Sequence, residues 1–115
     1  MSDALNTALS ALGALSQAMD VTANNIANSD TNNFKNSQAE MEDVDPSGVK
    51  VSISQVNTPG DILPPDENGV SQESSNVNLP EELVNLIIEQ NSFSANINTI
   101  TTEDQMQQQL IDIKA

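Results

Sequence analysis

The asparagine-rich segment Asp20–Lys35 constrains this chain more than any other stretch. It closes an alanine- and leucine-rich amphipathic stretch that starts near Asp3, and a second amphipathic stretch runs from Glu81 to Ile113. Two long helices around a short middle predict a part that pairs with copies or relatives of itself. They do not predict a pocket for chemistry.

The helical reading rests on spacing. Leu5, Leu9, Leu12, Met19 and Ile26 fall at steps of four, three, seven and seven, with Ser16 and Ala23 in the intermediate positions. That is a coiled-coil seam containing small residues. In the second stretch Leu79, Leu83, Leu86, Phe93, Ile97 and Ile100 follow a similar spacing, with Gln90 in the seam. Met106, Leu110 and Ile113 resume the stripe after a slip of phase. Asn78 or Leu79 precedes Pro80, which suits a first helical turn, and Glu81 and Glu82 suit its positive end. A continuous helix from Pro80 to Ile113 would be about 50 Å long. A globule of this size cannot cover that length, so the stripes are expected to finish their burial against other subunits.

The middle reads as turns and a small β element. Asn28–Asn36 is a cluster of side chains that bond their own backbone and end helices. Asn24, Asn25 and Asn28 are expected to form the turn motif, with Phe34 pinning the loop back onto the helix. Gln38–Asp45 is expected to be a short helical turn or disordered. Val49, Val51 and Ile53 alternate with polar residues and predict a strand. Thr58-Pro59-Gly60 ends it, and Ile62-Leu63 is a second short strand stopped by Pro64-Pro65. Asp66–Gly69 is a turn, and Val70–Val77 is extended or irregular. The predicted fold is mainly α, with the two terminal helices pairing as an antiparallel coiled coil. Its parts are an N-terminal helix (1–30), a loop and small β segment (31–78) and a C-terminal helix (79–115), together one domain.

Composition removes several function classes. The aromatics are Phe34 and Phe93, so Leu, Ile, Val, Met and Ala must do the burying. The net charge is -14, with 3 Lys+Arg against 17 Asp+Glu. A nucleic-acid binder needs cations to displace phosphate counterions, and anionic lipid disfavours the chain for the same reason. There is no Cys and no His, which removes disulfides, thiolate and imidazole metal ligands and Ser-His-Asp triads. No apolar run approaches a membrane span, and no cleavable signal peptide is expected.

Candidate chemistry is sparse. Asp43-Val44-Asp45-Pro46-Ser47-Gly48 imitates the opening of a calcium loop, but Ser54 stands where a bidentate Glu is needed. Glu40, Glu42, Asp43 and Asp45 lie in a polar, turn-rich stretch that would leave them solvated, without the desolvation acid/base work requires. The four glycines are dispersed, so no phosphate-cradling loop is present. The expectation is a protein without catalytic residues, cofactor or metal.

The residues at both ends resemble a known family. Ala8–Leu12, Leu15–Thr31 and Phe34-Lys35 resemble the N-terminal signature of bacterial flagellar rod and hook proteins. Glu73–Leu79, Glu82–Ile87, Gln90–Asn96 and Ile100–Met106 resemble the C-terminal signature, in the same order and at the matching end. Asn33 stands where Gly is common in the family, and Asn91 where many relatives carry Arg. The resemblance implies terminal helices that form a coiled-coil inner domain lining the axial tube. It also implies export through the flagellum's own type III channel without a cleaved leader. The chain is therefore expected to be a non-enzymatic structural subunit of the basal-body rod, similar to the small proximal-rod members and located in the periplasmic rod. Its expected partners are other rod and hook axial proteins, copies of itself and the flagellar export apparatus. The alternative is a non-polymerising helical adaptor or export-related binding module. Under the first reading Leu5, Leu9, Leu12, Met19 and Ile26 pack against Leu83, Leu86, Phe93, Ile97, Ile100 and Leu110.

Overall fold

The computed structural model describes residues 2–114. Helix α1 spans Ser2–Ala27 and helix α2 spans Leu79–Lys114. Between them lie two antiparallel hairpins: β1 (Ser37–Asp43) with β2 (Val49–Gln55), and β3 (Ile62–Leu63) with β4 (Gln72–Glu73). The body measures 77 × 25 × 19 Å. A helix of 36 residues rises about 54 Å, so α2 alone is far longer than the body is wide.

The two helices run antiparallel. Thr22 Oγ1 on α1 donates to Glu89 Oε1 on α2 at 2.9 Å. Towards the other end, Leu5 shares a shallow cleft with Ile100 and Asp104. Asn78 caps α2: its side-chain oxygen accepts from the Glu81 amide at 3.3 Å, and its carbonyl accepts from the Glu82 amide at 3.0 Å. Glu81 and Glu82 occupy the first turn and Lys114 the last, each complementing the helix dipole. In the Thr-rich stretch of α2, Thr99, Thr101 and Thr102 each donate to the carbonyl four residues back, which satisfies their hydroxyls within the helix.

Helix α1 is packed on two sides. Its buried residues are Ala8, Ala14, Leu15, Ala18, Thr22 and Asn25. Small side chains let neighbouring backbones come close. One neighbour is α2. The other is the β1–β2 hairpin, which lies back along α1. Its base meets Asn25 through Ser37, and its tip meets Ser10, whose Oγ accepts from the Val49 amide at 3.1 Å. Gly48, at φ +123°, makes the close approach to Ser10 in a backbone region that side chains rarely adopt.

Strand alternation sorts the hairpin faces. Register pairs Ala39 with Ile53, Met41 with Val51 and Asp43 with Val49. Ala39, Val49 and Val51 are half-buried, and Ile53 borders a cleft with Gln17 and Val21 of α1. The opposite face is polar, and Lys50 pairs with Glu42 across the strands at 3.0 Å. Gln38–Asp43 is thus strand, not the helical turn or disorder its composition suggested. Its residues are poor strand formers, but pairing with β2 and docking on α1 outweigh local preference. The pseudo-calcium loop is the connection of this hairpin, closed by the Val44 amide donating to the Gly48 carbonyl at 3.0 Å.

The seam of α2 also differs from the expected one. The residues turned towards α1 recur as Glu82, Leu86, Glu89, Phe93, Asn96, Ile100 and Glu103, buried or half-buried throughout. This stripe is polar at every second step. A seam assigned from apolar residues alone therefore lands partly on the wrong side. Ser16 and Gln90, expected in the seam, are exposed.

Candidate functional site: the asparagine clasp and the outward helix faces

Two features distinguish the surface and joints of this molecule. The first is a clasp of asparagines where α1, the hairpins and α2 meet. Asn25 is 1% exposed. Its amide nitrogen donates to the Ser37 carbonyl at 2.7 Å, and its oxygen accepts from the Ser37 amide at 3.0 Å. The side chain thus does for Ser37 what a neighbouring strand's peptide group would do, and it holds β1 against the end of α1. Asn28 closes the helix by donating its amide nitrogen to the Asn24 carbonyl (2.9 Å) and to Asn24 Oδ1 (3.1 Å), and its Oδ1 accepts from Thr31 Oγ1 at 3.1 Å.

The clasp continues across the chain. Asn33 sits at φ +63°, the left-handed region that glycine and asparagine tolerate best. This explains physically how Asn serves at a position where Gly is common. The Asn33 amide donates to the Glu73 carbonyl at 2.8 Å, and its side-chain oxygen accepts from the Glu73 amide at 3.1 Å. Asn76 Oδ1 accepts from the Asn36 amide at 2.7 Å, and its amide nitrogen donates to the carbonyls of Val56 (2.8 Å) and Thr58 (3.0 Å). Lys35 pairs with Glu73 and donates to the Thr58 carbonyl. Phe34 is half-buried, and its carbonyl accepts from the Asn76 amide at 3.3 Å. The N-terminal and C-terminal sequence signatures are therefore one joint in space. Asn33, Lys35, Glu73 and Asn76 belong to it although the sequence drew attention to Asn24, Asn25 and Asn28. Gly60 adds a further constraint, because a Cβ there would collide with the Ser74 carbonyl.

The second feature is the apolar surface turned away from the seam. On α2, Leu79, Leu83, Val84, Ile87, Ile88, Ile97, Met106, Leu110, Ile111 and Ile113 are exposed, as is Leu9 on α1. Of the expected packing residues, Leu86, Phe93 and Ile100 lie on the face towards α1, and Leu5, Leu12, Met19 and Ile26 are half-buried. Leu9, Leu83, Ile97 and Leu110 stand outside the intramolecular seam. The reason is rotation: the buried face of α1 follows Ala8, Leu15, Ala18, Thr22 and Asn25, roughly one residue out of phase with the leucine stripe.

Between the clasp and the helix pair lies a cleft of about 500 Å³ bordered by Asn36, Asn76, Glu82, Ile88 and Glu89. Burial raises the Glu89 carboxyl above its ordinary range; the Thr22 hydrogen bond lowers it and the charge of Glu82 raises it further. Among the described residues no group of three His, Cys, Asp or Glu is placed to hold a metal ion. No described helix is long and apolar enough to cross a membrane. Among the described residues the geometry offers joints and exposed apolar side chains.

Comparison with known proteins places both ends of the chain in one family. Residues 5–35 match the family described as flagella basal body rod protein, and residues 70–113 match the flagellar basal body rod FlgEFG protein C-terminal family. The chain belongs to the flagellar rod and hook axial proteins, a family of structural components of the flagellum. Flagellar hook protein FlgE of Borreliella burgdorferi is 45% identical over 42 residues, covering 36% of this chain and 10% of that protein. FlgE of Helicobacter pylori is 45% identical over 47 residues, covering 41% of this chain and 6% of that one. FlgE of Escherichia coli K12 is 43% identical over 42 residues, with 36% and 10% covered. The chain thus matches a tenth or less of the length of these hook proteins.

Proposed function

We propose that the chain is a structural subunit of the flagellar basal-body rod, with no enzymatic activity, that assembles through its terminal helices for motility. The observation that carries this reading is the exposed apolar cluster Leu83, Val84, Ile87 and Ile88 of α2, on a slender body whose two ends belong to the axial family. Clustered exposed apolar side chains, unlike singly scattered ones, mark contact surfaces. In this reading the two helices and the clasp act as one domain. The inner seam sets their register, and Leu9, Leu83, Ile97 and Leu110 meet neighbouring axial proteins in an open heterologous array. Half-buried Leu5, Leu12, Met19 and Ile26 flank that contact. The subunit passes through the flagellar export apparatus and resides in the periplasmic rod.

The test is incorporation. Ile97→Asp and Leu12→Asp are expected to abolish recovery of the chain in purified basal bodies, and with it rod formation. Ile97 is the cleaner site, because it is exposed and its change should spare the fold. Intact rods and motility with either substitution would refute the packing. Recovery of the unaltered chain only in soluble fractions would favour a non-polymerising adaptor.

A further inference from the structure

The cleft at the clasp is lined by two carboxylates, Glu82 and Glu89, that no Lys of the chain pairs with among the described residues. Glu82 is 6% exposed, borders the cleft, and its carboxylate takes part in no hydrogen bond or ion pair among the described residues. Glu89 borders the same cleft two turns along the same face. One of its oxygens accepts from Thr22, and the other is buried without a partner. Asn36 adds a buried side-chain oxygen that also lacks a donor. Three side chains with unmet acceptor capacity thus line one cleft, and orphaned oxygens such as those of Glu89 and Asn36 are costly. The α2 dipole favours Glu82 in the first turn but fades before Glu89.

The chain cannot readily supply the missing cation. It has no Arg, and its three Lys are Lys35, Lys50 and Lys114. Lys35 is engaged by Glu73 and Lys50 by Glu42. Copies of a chain with net charge -14 also repel one another unless a neighbour compensates.

We propose that this cleft receives a basic side chain, arginine or lysine, from a different axial subunit, so that the chain assembles against a basic neighbour and not solely against itself. The inference rests on the rod reading and adds the chemistry of its partner. A planar guanidinium with several donors suits carboxylate and amide oxygens spread along a groove. The raised Glu89 carboxyl agrees with a site still lacking its counterion.

The experiment is photocrosslinking in motile cells from a photoreactive residue replacing exposed Ile88 at the rim of the cleft, with the adduct mapped by mass spectrometry. The expected adduct joins a peptide of another axial protein beside an Arg or Lys. Adducts confined to copies of this chain would overturn the proposal. Alongside it, Glu82→Gln with Glu89→Gln should lower recovery in basal bodies by about tenfold or more, whereas Glu40→Gln with Glu42→Gln, an equal change in charge, should not. Circular dichroism must find both double variants helical. Reversal to Glu82→Lys should block incorporation, and changing the crosslinked basic residue of the neighbour to Glu should restore it. If the unaltered chain is present in basal bodies and the cleft variant incorporates equally well, this proposal fails and the rod reading stands. If the unaltered chain is absent from basal bodies, both fail.

Discussion

The buried face of helix α1 is made of alanines, Leu15, Thr22 and Asn25; Thr22 bonds α2 and Asn25 bonds β1. Towards α1, helix α2 presents Glu82, Glu89, Asn96 and Glu103 between Leu86, Phe93 and Ile100. The leucines and isoleucines of α2 mostly point the other way. A helix that hides carboxylates and displays Ile87 and Ile88 is turned inside out relative to the usual surface helix. The contrast divides the work between the elements. Helix α1 is the internal spine, contacted by α2 on one side and the β1–β2 hairpin on the other. Helix α2 meets α1 through Leu86, Phe93 and Ile100 and through the Thr22–Glu89 hydrogen bond, and leaves Leu83, Val84, Ile87 and Ile88 exposed.

The sharpest way to break this comparison is to put a charge on each face in turn. Leu15→Asp places an unpaired carboxylate in the packed face of α1 and should cost about 3 kcal/mol or more. Such a loss would unfold a small domain, seen as collapse of helical circular dichroism. Ile87→Asp, on the outer face of α2, should change the melt of the isolated chain by no more than about 0.5 kcal/mol. Equal losses at the two sites would remove the distinction between spine and contact face.

A smaller effect is expected at the clasp. Asn25→Ala strips two partners from Ser37 in a buried setting and should cost about 2–3 kcal/mol. Hydrogen exchange should report it first as faster exchange across β1 and β2, with α1 and α2 less affected. Protection lost evenly over the molecule would mean that Asn25 does not specifically hold the hairpin.

The smallest effect concerns the polar seam. Burial, opposed by Thr22 and assisted by Glu82, raises Glu89 in the fold. The folded chain therefore holds this proton more tightly than the unfolded chain. The linked stability is fully present below the ordinary carboxylate range and is lost as pH rises through the raised value. Glu89→Gln keeps an acceptor for Thr22 and removes the charge. It should raise the melting temperature at neutral pH and flatten its dependence on pH between mildly acidic and neutral conditions. An unchanged pH profile would exclude Glu89 as its source.

Much of this architecture was legible from residue order. Both helices, the strand beginning at Val49, the turn at Asp66–Gly69 and the helix start around Pro80 carry local signals, and the structure has them. Which face of each helix turns inward was not legible. Apolar periodicity finds the greasy stripe, and in α2 much of that stripe faces out, because Thr22 and Glu89 place a polar contact in the seam. Strand β1 was hidden as well, since Gln, Glu and Asp carry little strand preference and only pairing with β2 reveals it. The clasp was half visible. Asn25 and Asn28 stand in a conspicuous run, while Glu73 and Asn76 lie some 40 residues beyond Asn33 and Asn36, as their mutual bonds record. No local rule joins them.

The chain has no cysteine, so one introduced at Ile87, a position 58% exposed, would be the sole thiol. Its rate of labelling by a maleimide, measured on the isolated chain and again in purified basal bodies, tests directly whether the outer face of α2 is a contact between subunits. The account predicts fast labelling in isolation and strong protection in the assembled structure. Equal labelling in both would contradict it.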